Sequence, residues 1–159
     1  MDSAAAGLRD SAPEFPDPEP GETAIHETSE FIYQININSL RLRSPEIEPD
    51  KDRDRIFFVG DSFVFGLGVK EEESFTRQTE ALLRKEHGDN LDVLNLGYVL
   101  QSPDTYPGRV QRVASSIEPD GLFLFVYPND LPDLNRETLF YRMRQKVIES
   151  NDLLHFAAL

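Results

Sequence analysis

The 159-residue chain contains no cysteine and no tryptophan, only three histidines, and no apolar run long enough to cross a bilayer. Without cysteine there is no disulfide, no thiolate nucleophile and no cysteine-ligated metal, and the redox compartment stays open. Basic residues are also scarce: 16 Lys and Arg stand against 29 Asp and Glu, for a net charge of −13. An acidic chain with no basic stripe is a poor partner for nucleic acid or an anionic membrane surface, and both are set aside. The N-terminus lacks the basic region and apolar stretch of a signal peptide, so the chain as given reads as cytoplasmic; an upstream signal or anchor would change that.

What is present suits one domain with a sizeable core: 39% of residues are apolar and 10% aromatic. The negative charge is unevenly spread. Residues 1–30 carry eight acidic side chains against Arg9, which leaves −6 for the rest. With Pro13, Pro16, Pro18 and Pro20 among them, they read as a disordered acidic leader serving as a solvated spacer. Residues 31–55 read as an entry strand and connection. Tyr33, Ile35 and Ile37 alternate with Gln34, Asn36 and Asn38 as in a half-buried edge strand, and the charged stretch 46–55 reads as an exposed link.

From residue 56 the pattern becomes strand, helix, strand, helix, strand. Ile56-Phe57-Phe58-Val59 is a short buried strand cut off by Gly60. A helix follows on Phe75, Thr79, Leu82 and Leu83, with Glu71–Glu73 before it, Arg84, Lys85 and His87 at its end, and Gly88 beyond, in keeping with the helix dipole and a left-handed cap. Asp92–Leu96 is the second strand, closed by Gly97. Val110, Val113, Ala114 and Ile117 mark a second helix that stops before Pro119-Asp120-Gly121. The continuous apolar run Leu122–Tyr127 reads as a central parallel strand covered on both faces, and Leu139, Met143 and Val147 as a third helix over 136–149. This alternation predicts an α/β fold with a parallel sheet, in which Ser62, Gly97 and Asn129, each following a strand, meet at one edge.

Val59-Gly60-Asp61-Ser62-Phe63, Asn95-Leu96-Gly97 and Pro128-Asn129-Asp130 resemble, in order and spacing, the first three signature blocks of the SGNH (GDSL-type) hydrolases. That family comprises esterases and acyl transferases. The entry stretch Asn38–Glu46 is similar to one bacterial subgroup, with Arg41 and Ser44 where that pattern has glycine and Arg43 matching its arginine. Pro128 likewise replaces a glycine, which keeps a turn and removes a donor. The resemblance implies a three-layer flavodoxin-like sheet over 56–159, incomplete at its C-terminus. Ser62 would be the nucleophile; its N–H, the Gly97 N–H and the Asn129 side-chain amide would bind the oxyanion. Asp61 would support the turn. No metal or organic cofactor is expected, and the substrate would be a small-molecule or carbohydrate ester, an O-acetyl group being the natural choice.

A serine hydroxyl also needs a base, which the family supplies from a D-x-x-H block late in a longer domain. Asp152-Leu153-Leu154-His155 has that spacing, but it lies 26 residues after Asn129 and continues a helical apolar pattern, so it reads as a helix end. His26 falls in the leader and His87 at a helix C-terminus. The alternative is therefore a non-catalytic, truncated domain of this family. Two other α/β classes are excluded by their motifs: no G-x-G-x-x-G follows the first strand, and Val64 occupies the last glycine of a G-x-S-x-G elbow.

Overall fold

The computed structural model describes residues 18–27, 29–48, 52–99, 101–128 and 130. Its first unit is an antiparallel ribbon of β1 (Thr23–Glu27) and β2 (Ile32–Asn36), in register from Thr23↔Asn36 to Glu27↔Ile32. The alternation expected from residue 33 onward is there, with Tyr33, Ile35 and Ile37 buried and Gln34 and Asn36 exposed. The disordered leader expected over 1–30 does not hold for Thr23–Glu27, which is a strand; residues 1–17 lie outside the described residues. One side chain accounts for the difference. His26 is buried against the edges of Phe31 and Tyr33, and its Nδ1 is hydrogen-bonded to the Tyr33 hydroxyl at 2.8 Å.

Asn38 organises the turn that follows. Its Oδ1 accepts from the N–H groups of Leu40 (3.0 Å) and Leu42 (2.9 Å), and its Nδ2 donates to the Pro45 carbonyl (3.0 Å). To make that turn Arg41 adopts φ +62°, a left-handed conformation at a position where the resembled pattern carries glycine. Leu42 and Arg43 are thereby delivered to the interior.

Three parallel strands form the second sheet: β3 (Asp54–Gly60), β4 (Leu91–Gly97) and β5 (Gly121–Leu124), in the order β4-β3-β5. Alternate residues of β3 face opposite cores. Phe57 and Val59, with Leu94 and Leu96, pack against Tyr106 and Val113 of α3 (Tyr106–Ala114) and against Ile117. Phe58 and Val93 lie on the other side with Val64 and with Leu83 of α2 (Phe75–His87). The chain is thus a mixed α/β structure with helices on both faces of a parallel sheet.

Among the described residues β3 lies between β4 and β5, and the side chains of Leu122–Tyr127 are 36–55% exposed. An unbroken apolar run marks a strand without saying what covers it. On α2 the inward face is Thr76, Thr79, Glu80 and Leu83, and Leu82 points outward, 61% exposed. These four keep the i, i+3, i+4, i+7 spacing, but two are threonines and one is a carboxylate; of the expected Phe75, Thr79, Leu82 and Leu83 only Thr79 and Leu83 are among them, so hydrophobicity alone misses half of the stripe. Buried Glu80 pairs with both Arg77 and Arg84, and Arg84 also reaches Asp92 at 2.8 Å, tying α2 to β4. The helix ends where expected, but differently: Ser74 Oγ caps it by accepting from the Arg77 N–H, Glu71–Glu73 form a separate 3-10 turn ahead of it, and Gly88 has φ +93° with ψ 166° in place of the left-handed helical cap. The helix expected over 136–149 lies outside the described residues.

The left-handed Arg41 costs about 1–2 kcal/mol relative to glycine, partly offset by the greater unfolded-state freedom of glycine, about 0.5–1 kcal/mol. Its ion pair with Glu19 is exposed and 3.7 Å long, and contributes little. Arg41→Gly is expected to stabilise the protein by roughly 0.5–1 kcal/mol, seen as a higher urea midpoint with an unchanged slope.

Candidate active site at the strand ends

The carboxyl ends of β3 and β4 align at one edge, with Gly60 opposite Gly97 in the parallel register. Backbone pairing with β3 continues one residue beyond β5, since the Phe125 N–H donates to the Val59 carbonyl at 2.8 Å. Directly after β3 the chain enters α1 (Ser62–Phe65), a single turn whose first residue is Ser62. Asp61 caps it: its Oδ1 accepts from the Phe63 N–H at 2.9 Å, and its carbonyl accepts from the Phe65 N–H at 3.0 Å. At the other end Gly66 (φ +82°) and Leu67 both donate to the Ser62 carbonyl, at 3.1 and 3.0 Å. Ser62 is half-buried, and Asp61 holds the turn, as the sequence suggests.

Gly97 has a structural task of its own. A side chain there would meet the Phe65 nitrogen at 2.2 Å and the Val64 carbonyl carbon at 2.5 Å, so the missing Cβ is the space in which α1 rests on β4. Its N–H, expected to face an oxyanion, donates instead to Asn95 Oδ1 at 2.9 Å. Asn95 is buried, and its Nδ2 donates to the Phe65 carbonyl at 3.4 Å, so this side chain joins the second strand end to the serine turn.

Asn129 lies outside the described residues. Its neighbour Asp130 is fully buried and accepts from the Tyr127 N–H (2.7 Å) and from the Tyr106 hydroxyl (3.1 Å), fastening the loop after β5 to α3. Burial pushes the Asp130 carboxyl above the usual carboxylate range; those two hydrogen bonds oppose the shift and the nearby Asp61 carboxylate adds to it. Across the same edge the rings of Phe63 and Tyr127 stack with centroids 4.0 Å apart.

Neither described histidine is placed as a base for Ser62. His26 is buried in the ribbon core, with Nδ1 committed to Tyr33. His87 ends α2, whose chain leads into the start of β4, at the sheet edge opposite Ser62. His155 lies outside the described residues. Sequence reasoning missed the supporting residues Tyr33, Arg43 and Asn95. Arg43 and Asn95 fall within the stretches that carry the family resemblance, and that is the available signal. Among the described residues no helix is long and apolar enough to cross a membrane. Compared with family models, curated proteins and solved structures, the chain matches none.

Gly97→Ala is expected to cost roughly 3 kcal/mol or more, because its Cβ would strike backbone that cannot rotate away; a urea unfolding curve measures this. A second expectation concerns acid. Burial, followed by the Arg43 cation, lowers the His26 pKa from its ordinary 6.5, so the unfolded chain binds the proton more readily. Stability from neutral His26 is therefore present above pH 6.5 and is lost as pH falls below that value towards the folded pKa. Unfolding free energies measured between pH 7.5 and 5 should fall for wild type and show a shallower slope for His26→Asn.

Proposed function

We propose that the chain is a serine hydrolase of the SGNH type that cleaves an O-acyl ester, a carbohydrate O-acetyl group being the natural substrate. The observation that carries this is the placement of Ser62 at the first residue of an Asp-capped single turn, at the carboxyl end of β3, which pairs in parallel with β4 and β5. The order β4-β3-β5 is also that of the first three strands of a flavodoxin-like 2-1-3-4-5 sheet. Ser62 Oγ would attack the ester carbonyl, passing its proton to a base, and the alkoxide of the acceptor would leave with a proton as the acyl-enzyme forms. Water then hydrolyses that acyl-enzyme. The Ser62 N–H and the Asn129 amide would stabilise the oxyanion, and the Gly97 N–H would join them only if Asn95 released it.

The bond from Gly97 to Asn95 favours a second reading, a domain of the same architecture that does not catalyse. Hydrolysis of 4-nitrophenyl acetate separates the two. A catalytic chain loses turnover in Ser62→Ala and falls about 100–1,000-fold in Asn129→Ala. Equal rates in wild type and Ser62→Ala would leave the non-catalytic reading.

A further inference from the structure

Arg43 is 1% exposed and lies in the entry segment, yet its guanidinium ends against the serine turn. Nη1 donates to the carbonyls of Phe65 (3.1 Å) and Gly66 (2.5 Å), and Nη2 to that of Val69 (2.6 Å). The rings of Tyr33 and Phe65 lie 4.9 and 5.1 Å from its central carbon. The Tyr33 hydroxyl in turn accepts from the Gly68 N–H at 3.1 Å. Every hydrogen bond named here falls on the short segment that closes α1.

Two peptide planes transmit this grip to Ser62. In the plane joining Phe65 to Gly66, the carbonyl accepts from Arg43 while the Gly66 N–H donates to the Ser62 carbonyl. In the next plane, the Gly66 carbonyl accepts from Arg43 while the Leu67 N–H donates to the same Ser62 oxygen. Drawing electron density toward the cation makes each opposite N–H a better donor, so the two bonds on Ser62 tighten together. A planar, forked cation can reach all three carbonyls while lying against two rings; an ammonium cannot.

We propose that Arg43 is a positioning residue for the Ser62 nucleophile, acting through the 65–66 and 66–67 peptide planes; this role rests on the hydrolase reading above. The β1–β2 ribbon, through Tyr33, is then part of the catalytic unit.

The test is the rate at which an alkyl fluorophosphonate labels Ser62 in the full chain, measured with its concentration dependence at a temperature where unfolding curves show each variant folded. Arg43→Lys keeps the charge and is expected to label at least tenfold more slowly at saturation, with half-saturation unchanged, as misplacement of a reacting group predicts. Tyr33→Phe keeps the ring under the cation and removes the hydroxyl that accepts from Gly68 and pairs with His26 Nδ1, and should slow labelling about threefold. It stands in if Arg43→Lys does not fold. In both variants the Gly66 and Leu67 amides should exchange hydrogen faster. Labelling of the folded variants within a factor of 1.5 of wild type, with Ser62→Ala unlabelled, would overturn the positioning role alone. Wild type that labels no faster than Ser62→Ala would overturn the hydrolase reading, and the role of Arg43 with it.

Discussion

Two glycines facing each other at the ends of β3 and β4 are the constraint on which the candidate site depends. A Cβ on Gly60 would meet Val64 Cγ2 at 2.4 Å, and one on Gly97 would meet Val64 Cβ at 2.6 Å. Val64 therefore fills a hollow made by both missing side chains, and α1 descends onto the sheet because of it. The direction in which the chain leaves β3, and so the place of Ser62, follows from that packing. Asp61 and Gly66 fix the turn at its ends, but they could do so equally well in a turn held away from the sheet.

Around this contact the structure uses buried polar groups where an apolar core would have been simpler. Arg43, Asn95, Asp130, His26 and Glu80 are all at most 2% exposed. Each has hydrogen-bonded or ionic partners that join separate elements: the entry segment to the serine turn, β4 to α1, the loop after β5 to α3, β1 to β2, and α2 to β4. Groups of this kind are costly when unpaired, and their geometry is more demanding than that of packed methyl groups. Stability of the layers comes from Phe57, Val59, Leu94, Leu96 and Val113, whereas these polar links decide how the loops lie on them.

Much of the α/β layout was legible in the sequence because period and punctuation agree. Val93 and Leu96 sit in a run closed by glycine, Val113 and Ile117 recur at helical spacing, and Gly88 marks the end of α2. Less legible were features whose cause is distant. Glu80 reads as an exposed helical carboxylate until Arg77 and Arg84 are known to enclose it. Thr23–Glu27 reads as part of an acidic tail until His26 is seen under two rings. At the site itself, local turn chemistry was enough to read Asp61 as support for the turn that carries Ser62. Gly97 closes its strand as expected, but one strand's sequence does not say whether the group that approaches it is a substrate or the next helix.

The pairing of β3 with β5 joins residues far apart in the chain; Arg55 and Asp120, at its foot, are 65 positions apart. At a synthesis rate of roughly 5–20 residues per second, that interval lasts roughly 3–13 s on the ribosome. During it Ile56–Val59 has been made while its β5 neighbour has not. The ribbon that grips the serine turn, by contrast, is made before the serine. The polypeptide thus lays down the brace first, then the turn it will hold, and adds β5 beside β3 later.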